Sequence, residues 1–213
     1  MSLPVLVVGG GGHAKVVLDI LRSGNEWLPC AVIDDDPAKW GKELGGVLVE
    51  GGMSVARDIA LKYGCRHFIV AVGHNATRVS LGTSLEASGL LPLIAIHASA
   101  ILSPSVTVGS GTVVMAGVCI NADTVIGPYS IINTRAAIDH DCVIGEGVHI
   151  APGVSICGGV SIGALSLLGA GSTVIPGCRI GDGVTIGAAA AVVTDLSPRV
   201  VAVGVPARII KSY

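Results

Sequence analysis

The sequence predicts a chain in two parts: a small α/β domain with a mainly parallel sheet over residues 1–95, then an all-β prism of stacked parallel strands over residues 96–213. Three observations predict it. Strand and helix patterns alternate through the first half around a run of four glycines, and every sixth residue from 96 to 192 is aliphatic. The 213 residues also include only two Trp, three Tyr and one Phe. A narrow prism filled one aliphatic side chain at a time has little room for rings.

In chain order, residues 4 to 9 (Pro-Val-Leu-Val-Val-Gly) read as a buried parallel strand, followed by Gly9-Gly10-Gly11-Gly12-His13-Ala14 and a helix through Arg22 with Gly24 as its stop. A second strand, Pro29 to Ile33, ends in Asp34-Asp35-Asp36-Pro37. A helix near Ser54 to Tyr63, a strand Phe68 to Val72, the loop Gly73-His74-Asn75-Ala76-Thr77, a helix to Glu86 and a strand Leu91 to Ile96 complete a Rossmann-like unit. The loop fits G-x-G-x-x-A at Gly9, Gly11 and Ala14, with Asp34 closing the next strand. Amides at a helix start favour phosphate, and an acid after the second strand favours a ribose or base donor. Fewer than a hundred residues precede the repeat, which is half of a dinucleotide fold, so one nucleotide diphosphate fits better than a nicotinamide cofactor.

The aliphatic column runs Ile96, Leu102, Val108, Val114 and on to Val192 without a break. At even odds per position, such a run has a chance of roughly one in a hundred thousand. Two residues earlier stands a column of small or branched residues, among them Val106, Thr112, Val118, Ser130, Ala136, Cys142, Val148 and Val154. Residues two apart on a strand face the same way, so both columns point into one interior. Gly, Asn, Asp and Pro between them form corners, and three hexads close one triangular coil of 18 residues.

Composition narrows the function. Thirteen Lys plus Arg against 15 Asp plus Glu, with no basic run, leave phosphate backbones little to bind, so no nucleic-acid partner is expected. No apolar stretch approaches the ~20 residues of a membrane span. Met1-Ser2-Leu3-Pro4 lacks the charged start of a secretory signal, so a cytoplasmic location is expected. The six cysteines form no CxxC pair and read as small buried hydrophobes.

The hexads resemble the hexapeptide-repeat acyltransferases, and the resemblance implies a left-handed parallel β-helix, a homotrimer and acyl-CoA bound between neighbouring prisms. The whole chain resembles the nucleotide-sugar N-acetyltransferases that acetylate a 4-amino-4,6-dideoxyhexose. It does so through Gly-Gly-Gly-Gly-His at 9–13, Ile33-Asp34-Asp35, Val72-Gly73-His74-Asn75, and Ile138-Asp139-His140-Asp141-Cys142. That resemblance implies a nucleotide-sugar-binding first domain and an acetyl-CoA-binding second domain with a C-terminal tail, working in O-antigen (lipopolysaccharide) synthesis. A GDP-linked sugar is the first choice and a UDP-linked one the second. Gly10, Gly11, Gly12, His13, Asp34, Asp35, Gly73, His74 and Asn75 would bind the nucleotide sugar. His149, Gly158, Pro206 and Arg208 would meet acetyl-CoA. No metal is expected.

Register arithmetic gives the chemistry a place. Residue n lies beside n+18 on the next coil, about 4.8 Å away, so His140 has Gly158 as its neighbour. An imidazole could take the proton of an attacking amine, and the glycine N–H could hold the developing oxyanion. In the family's roles His140 is the general base, Asp141 the carboxylate that orients or polarises it, and Gly158 the oxyanion donor. Asp141 stacks over Asp123 by the same count, which leaves open which acid supports the histidine. The plainer alternative makes Asp139, His140 and Asp141 exposed corner residues without chemistry. For His149 it is a surface contact, and for His13 and His74 ordinary loop histidines.

Two other classes fit less well. A zinc enzyme of the γ-carbonic anhydrase kind needs three histidines with a pair five residues apart, whereas His140 and His149 are nine apart. An ice-binding scaffold needs outward Thr arrays that are missing here. Sugar O-acetylation of the sialic-acid type, on the same scaffold, is the main competitor.

Overall fold

The computed structural model describes residues 2–24 and 26–213; Met1 and Asn25 lie outside the described residues. The chain divides into two compact units, residues 1–98 and 99–213.

In the first unit β1 (Leu3–Val8), α1 (Gly12–Ser23), β2 (Trp27–Ile33), β3 (Glu43–Leu44), β4 (Val47–Gly51), α2 (Ala56–Tyr63), β5 (His67–Val70), α3 (Asn75–Ala87) and β6 (Leu91–Pro92) follow in order. The sheet order is β3-β4-β2-β1-β5-β6. Every pairing is parallel except β3 with β4. Val5 to Val8, Ala31 to Ile33 and Phe68 to Val70 are all buried, as expected of strands covered on both faces. α1 lays Ala14, Val17, Leu18 and Leu21 into this core. β1 leads to β2 on one side and has β5 on the other, so the chain reverses direction above their carboxyl ends, where open α/β sheets hold ligands.

The β3–β4 hairpin is an addition to the expected elements. Its turn is Gly45-Gly46, with φ of 56° and 76°, the left-handed pair that a two-residue hairpin requires. The strand expected over Leu91 to Ile96 is divided into Leu91–Pro92 and Ala95–Ile96.

The second unit is a left-handed parallel β-helix of two-residue strands in three sheets. Residues eighteen apart pair along each face: Val113, Ile131, His149, Leu167 and Thr185 on one; Cys119, Ala137, Ser155, Thr173 and Ala191 on the next; Thr107, Val125, Val143, Ser161 and Arg179 on the third. Both sequence columns fill the interior, from Val114 to Val192 and from Thr112 to Ala190. Each fully buried aliphatic side chain stabilises by about 1.5–3 kcal/mol. Four hydroxyls in the second column are satisfied, Thr112, Thr124, Ser130 and Ser166 donating to the carbonyls of Gly127, Asp139, Gly145 and Gly181, whereas the buried Ser172 hydroxyl has no hydrogen-bond partner among the described residues.

Every sixth residue from 111 to 189 has positive φ, whether Gly or, as at Asp123, Asp141 and Leu165, not. That left-handed residue turns each corner. Of the cysteines, Cys65, Cys142 and Cys178 are buried as expected, while Cys30, Cys119 and Cys157 are only half-buried. The hairpin Val200–Val203 and Arg208–Ser212 closes the chain.

Candidate active site

In the first unit a cleft of about 170 Å³ opens above the strand ends, lined by Val8, Gly9, Ile33, Asp34, Asp35, Met53, Val72, Thr77 and Leu81. Gly9 must be glycine: φ is +108°, and a Cβ there would lie 2.8 Å from the Ala71 carbonyl oxygen. A Cβ at Gly11, Gly12 or Gly73 would meet nothing within 4 Å, so this side of the loop is open. Gly11 caps α1 and Gly12 begins it, where amides have no helical carbonyl to bond. His13 is half-buried in the same first turn.

Gly10 and Asp34 are engaged with each other. The Gly10 N–H donates to Asp34 Oδ2 at 2.6 Å, and Lys39 Nζ reaches the same oxygen at 2.9 Å. Asp34 Oδ1 accepts the Asp36 N–H. Burial works against the Asp34 charge, but the Lys39 bond and the two amides outweigh it and hold the carboxyl below its ordinary 3.8. Asp34 therefore shapes the glycine loop. Asp35, more exposed, accepts the Met53 N–H on Oδ1 at 2.7 Å. His74 caps α3, its Nδ1 accepting from Thr77 N–H at 3.3 Å and lying 2.8 Å from Thr77 Oγ1. Asn75 Oδ1 accepts from Arg78.

Arg78 escaped the sequence reading. It is fully buried, and Nη1 donates to the carbonyls of Val72 and Gly73 at 3.0 Å each. Burial lowers its pKa to about 10, which leaves it charged at neutral pH beneath the loop. Lys39 escaped as well, though Lys five residues after an acidic strand end was a visible signal.

In the second unit His140 and Asp141 stand on an exposed corner. His140 Nδ1 lies 2.7 Å from Asp141 Oδ2. Asp141 has the positive φ (58°) shared by the corner residues of the other hexads. The Asp141 bond, and secondarily the charge of Asp139, raises the His140 pKa above its ordinary 6.5. Of the two acids left open by the register count, Asp141 is the one bonded to the imidazole. Gly158 lies against His140: a Cβ there would fall 2.7 Å from the ring's Cε1 and Nε2, so the glycine makes room for the imidazole itself. The Gly158 N–H donates to no backbone carbonyl among the described residues.

His149 is on another face, in the strand His149–Ile150, with Nε2 3.1 Å from Asn133 Nδ2. The amide donates, so the ring proton sits on Nδ1. Pro206 and Arg208 are exposed at the closing turn. Arg208 Nη1 donates to the Ala207 carbonyl at 3.0 Å.

Known proteins match both units. Residues 4–85 match the PglD N-terminal domain, and residues 123–158 and 141–176 match the bacterial transferase hexapeptide (six repeats). A mutant of perosamine N-acetyltransferase from Caulobacter crescentus, solved with CoA and GDP-perosamine, is 43% identical with a TM-score of 0.91, covering 98% of this chain and 97% of that one. The chain belongs to the hexapeptide-repeat nucleotide-sugar N-acetyltransferase family. The acetyltransferase domain of PglB from Neisseria gonorrhoeae, solved with acetyl coenzyme A, is 32% identical with a TM-score of 0.91 over 99% of this chain and all of that one. UDP-N-acetylbacillosamine N-acetyltransferase from Bacillus subtilis is 37% identical over 112 residues, 53% of this chain. The match spans about half the length of that curated relative (51%).

Proposed function

We propose that this chain transfers acetyl from acetyl-CoA to the 4-amine of a nucleotide-linked 4-amino-4,6-dideoxyhexose, with GDP-perosamine the preferred acceptor and a UDP-linked amino sugar second. The observation that carries the reading is the His140–Asp141 pair set against Gly158 on an exposed corner. Supporting it, the Caulobacter relative has also been solved with a histidine replaced by alanine and both CoA and GDP-perosamine still bound, as expected where a histidine serves chemistry rather than affinity.

Asp141 bonded to Nδ1 keeps that nitrogen protonated and leaves Nε2 to act as base. The sugar amine, bound neutral or stripped of its ammonium proton in the complex, attacks the thioester and gives one N–H proton to Nε2. The Gly158 N–H steadies the oxyanion, and the CoA thiolate leaves with the proton the imidazole took. In the first unit, the amides of Gly11 and Gly12 and the His13 turn would hold the diphosphate, with Gly73, His74 and Asn75 at the rim. Asp35 has Oδ2 to offer a guanine edge or ribose, and Asp34 with Gly10 keeps the loop in shape. His149, Pro206 and Arg208 belong to the acetyl-CoA side.

The reading includes a homotrimer, and it is supported by the exposed, neighbouring Val125 and Val143 on one prism face, which another prism would cover. No described helix is long and apolar enough to cross a membrane. A cytoplasmic place in O-antigen synthesis fits two substrates drawn from the soluble pool.

The deciding experiment compares steady-state CoA release with GDP-perosamine, a UDP-linked 4-amino sugar and the free amino sugar. Intersecting double-reciprocal lines, no effect of chelator and a kcat/KM order of GDP, UDP, free sugar are expected. Equal turnover of the free sugar would remove the nucleotide role of the first unit, and an O-acetylated product would favour the sialic-acid-type reading.

A further inference from the structure

We propose that Asp139, clamped by Asn121, is a positioning residue for the His140 base: it fixes the His140 peptide between coils and sets a second negative charge beside the imidazole. This rests on the base role proposed above for His140.

Asn121 lies eighteen residues before Asp139, directly below it on the preceding coil, and its Nδ2 donates to Asp139 Oδ1 at 2.8 Å. The same oxygen accepts the His140 N–H at 2.9 Å. The Asp139 peptide is held as well, its N–H donating to the Ile156 carbonyl and its carbonyl accepting from Thr124 Oγ1 at 2.7 Å. The His140 carbonyl accepts from Gly159 N–H on the coil above. The base is thus tied through its backbone to both neighbouring coils, while Asp141 holds only its ring. Asn121 and Asp139 also line a groove of about 230 Å³ with Ile138, Ser155 and Cys157, so the clamp lies where a substrate beside the base would pass.

The groups around the imidazole give the clamp an electrostatic sign. Asp139 and Asp141 lie on its own coil and Asp123 on the coil below, while the coil above presents the uncharged Gly158 and Gly159. Cys142, whose thiol meets the His140 carbonyl, is pushed up by burial and stays neutral. The Asn121 bond, followed by the His140 amide, holds the Asp139 carboxyl below its ordinary 3.8, so it is charged whenever the base works. Losing that charge must lower the His140 pKa, and adding another must raise it.

The test is made on the full chain labelled with ¹³C-histidine. The His140 ring titration and the acid limb of kcat/KM are followed in Asp139→Asn, Asn121→Asp, Asn121→Ala and, for assignment, His140→Asn. In Asp139→Asn the titration and the limb should move together to lower pH by roughly half a unit, with kcat down several-fold and both KM values within about twofold. Asn121→Asp should move them upward, and Asn121→Ala should lower kcat with a smaller shift. A merely structural role would change the thermal midpoint and leave the titration in place. No shift in whichever of Asp139→Asn and Asn121→Asp folds overturns the proposal. A limb that persists in His140→Asn shows instead that the base assignment has failed, and the proposal with it.

Discussion

The polar groups of the first unit's cleft are bonded to one another, whereas the second unit's candidate base stands on an open corner with one carboxylate on its ring. Around the cleft, Asp34 is engaged with Gly10 and Lys39, His74 with Thr77, and Asn75 with the buried Arg78. What remains for a ligand is mainly backbone amides, shape and the second carboxylate oxygen of Asp35. On the corner, the ring's partner Asp141 is exposed, and the support beneath comes from Asn121 through Asp139 and from the Thr124 hydroxyl on the Asp139 carbonyl. A binding surface built from a folded framework cannot be altered without disturbing the fold, while a reactive group on a repeating scaffold can.

The difference can be broken most sharply at His140. Replacing it with Ala should lower kcat/KM on the order of 10³-fold and leave the melting temperature within about 1 °C, read by CoA release and calorimetry. Near-normal turnover would mean that the corner is not the reactive site. The opposite pattern is expected at Arg78→Met, which strands the Val72 and Gly73 carbonyls. Urea unfolding should show a loss of about 3 kcal/mol. A wild-type midpoint would show that the loop does not depend on the guanidinium.

A smaller effect should follow Asp34→Asn, which weakens the grip on Gly10 and Lys39. KM for the nucleotide sugar should rise about tenfold while KM for acetyl-CoA stays level, and a change in both would sink the separation of roles. Smallest is the pH effect. His140 has a raised pKa, so the neutral base is reached only above the ordinary 6.5, and kcat/KM should climb through a correspondingly higher pH. The same sign applies to folding: the contribution is full below the unfolded pKa and is lost as pH rises through the folded one. At so exposed a ring it should be small, so an acid limb at or below 6.5 would argue against the Asp141 pairing.

The two units were legible to different depths. Period six and the eighteen-residue register are written in side chains, so the interior columns, the corners and the His140–Gly158 contact follow from the order of residues alone. Asn121 under Asp139 was legible by the same count, yet Asp139 was read only as a corner residue and an asparagine drew no attention beside a histidine. In the first unit the glycine loop was visible, but the inward turn of Asp34 depends on Lys39 and Gly10 meeting it in space. Arg78 looks like a surface residue of α3 until the loop carbonyls above it are known. The β3–β4 hairpin was announced only by Gly45-Gly46 within a short run.

The coil of eighteen residues also makes the β-helix a ruler with coarse divisions. One extra residue would turn both inner columns outward, and six would keep them inside but carry His140 a third of a turn round the prism, away from the groove beside Asn121. Only a whole coil, about 4.8 Å of axis, leaves every outward side chain on its own face. Such a chain can lengthen over generations by copying eighteen codons at a time, and the corner that carries His140 can climb the axis only in those steps.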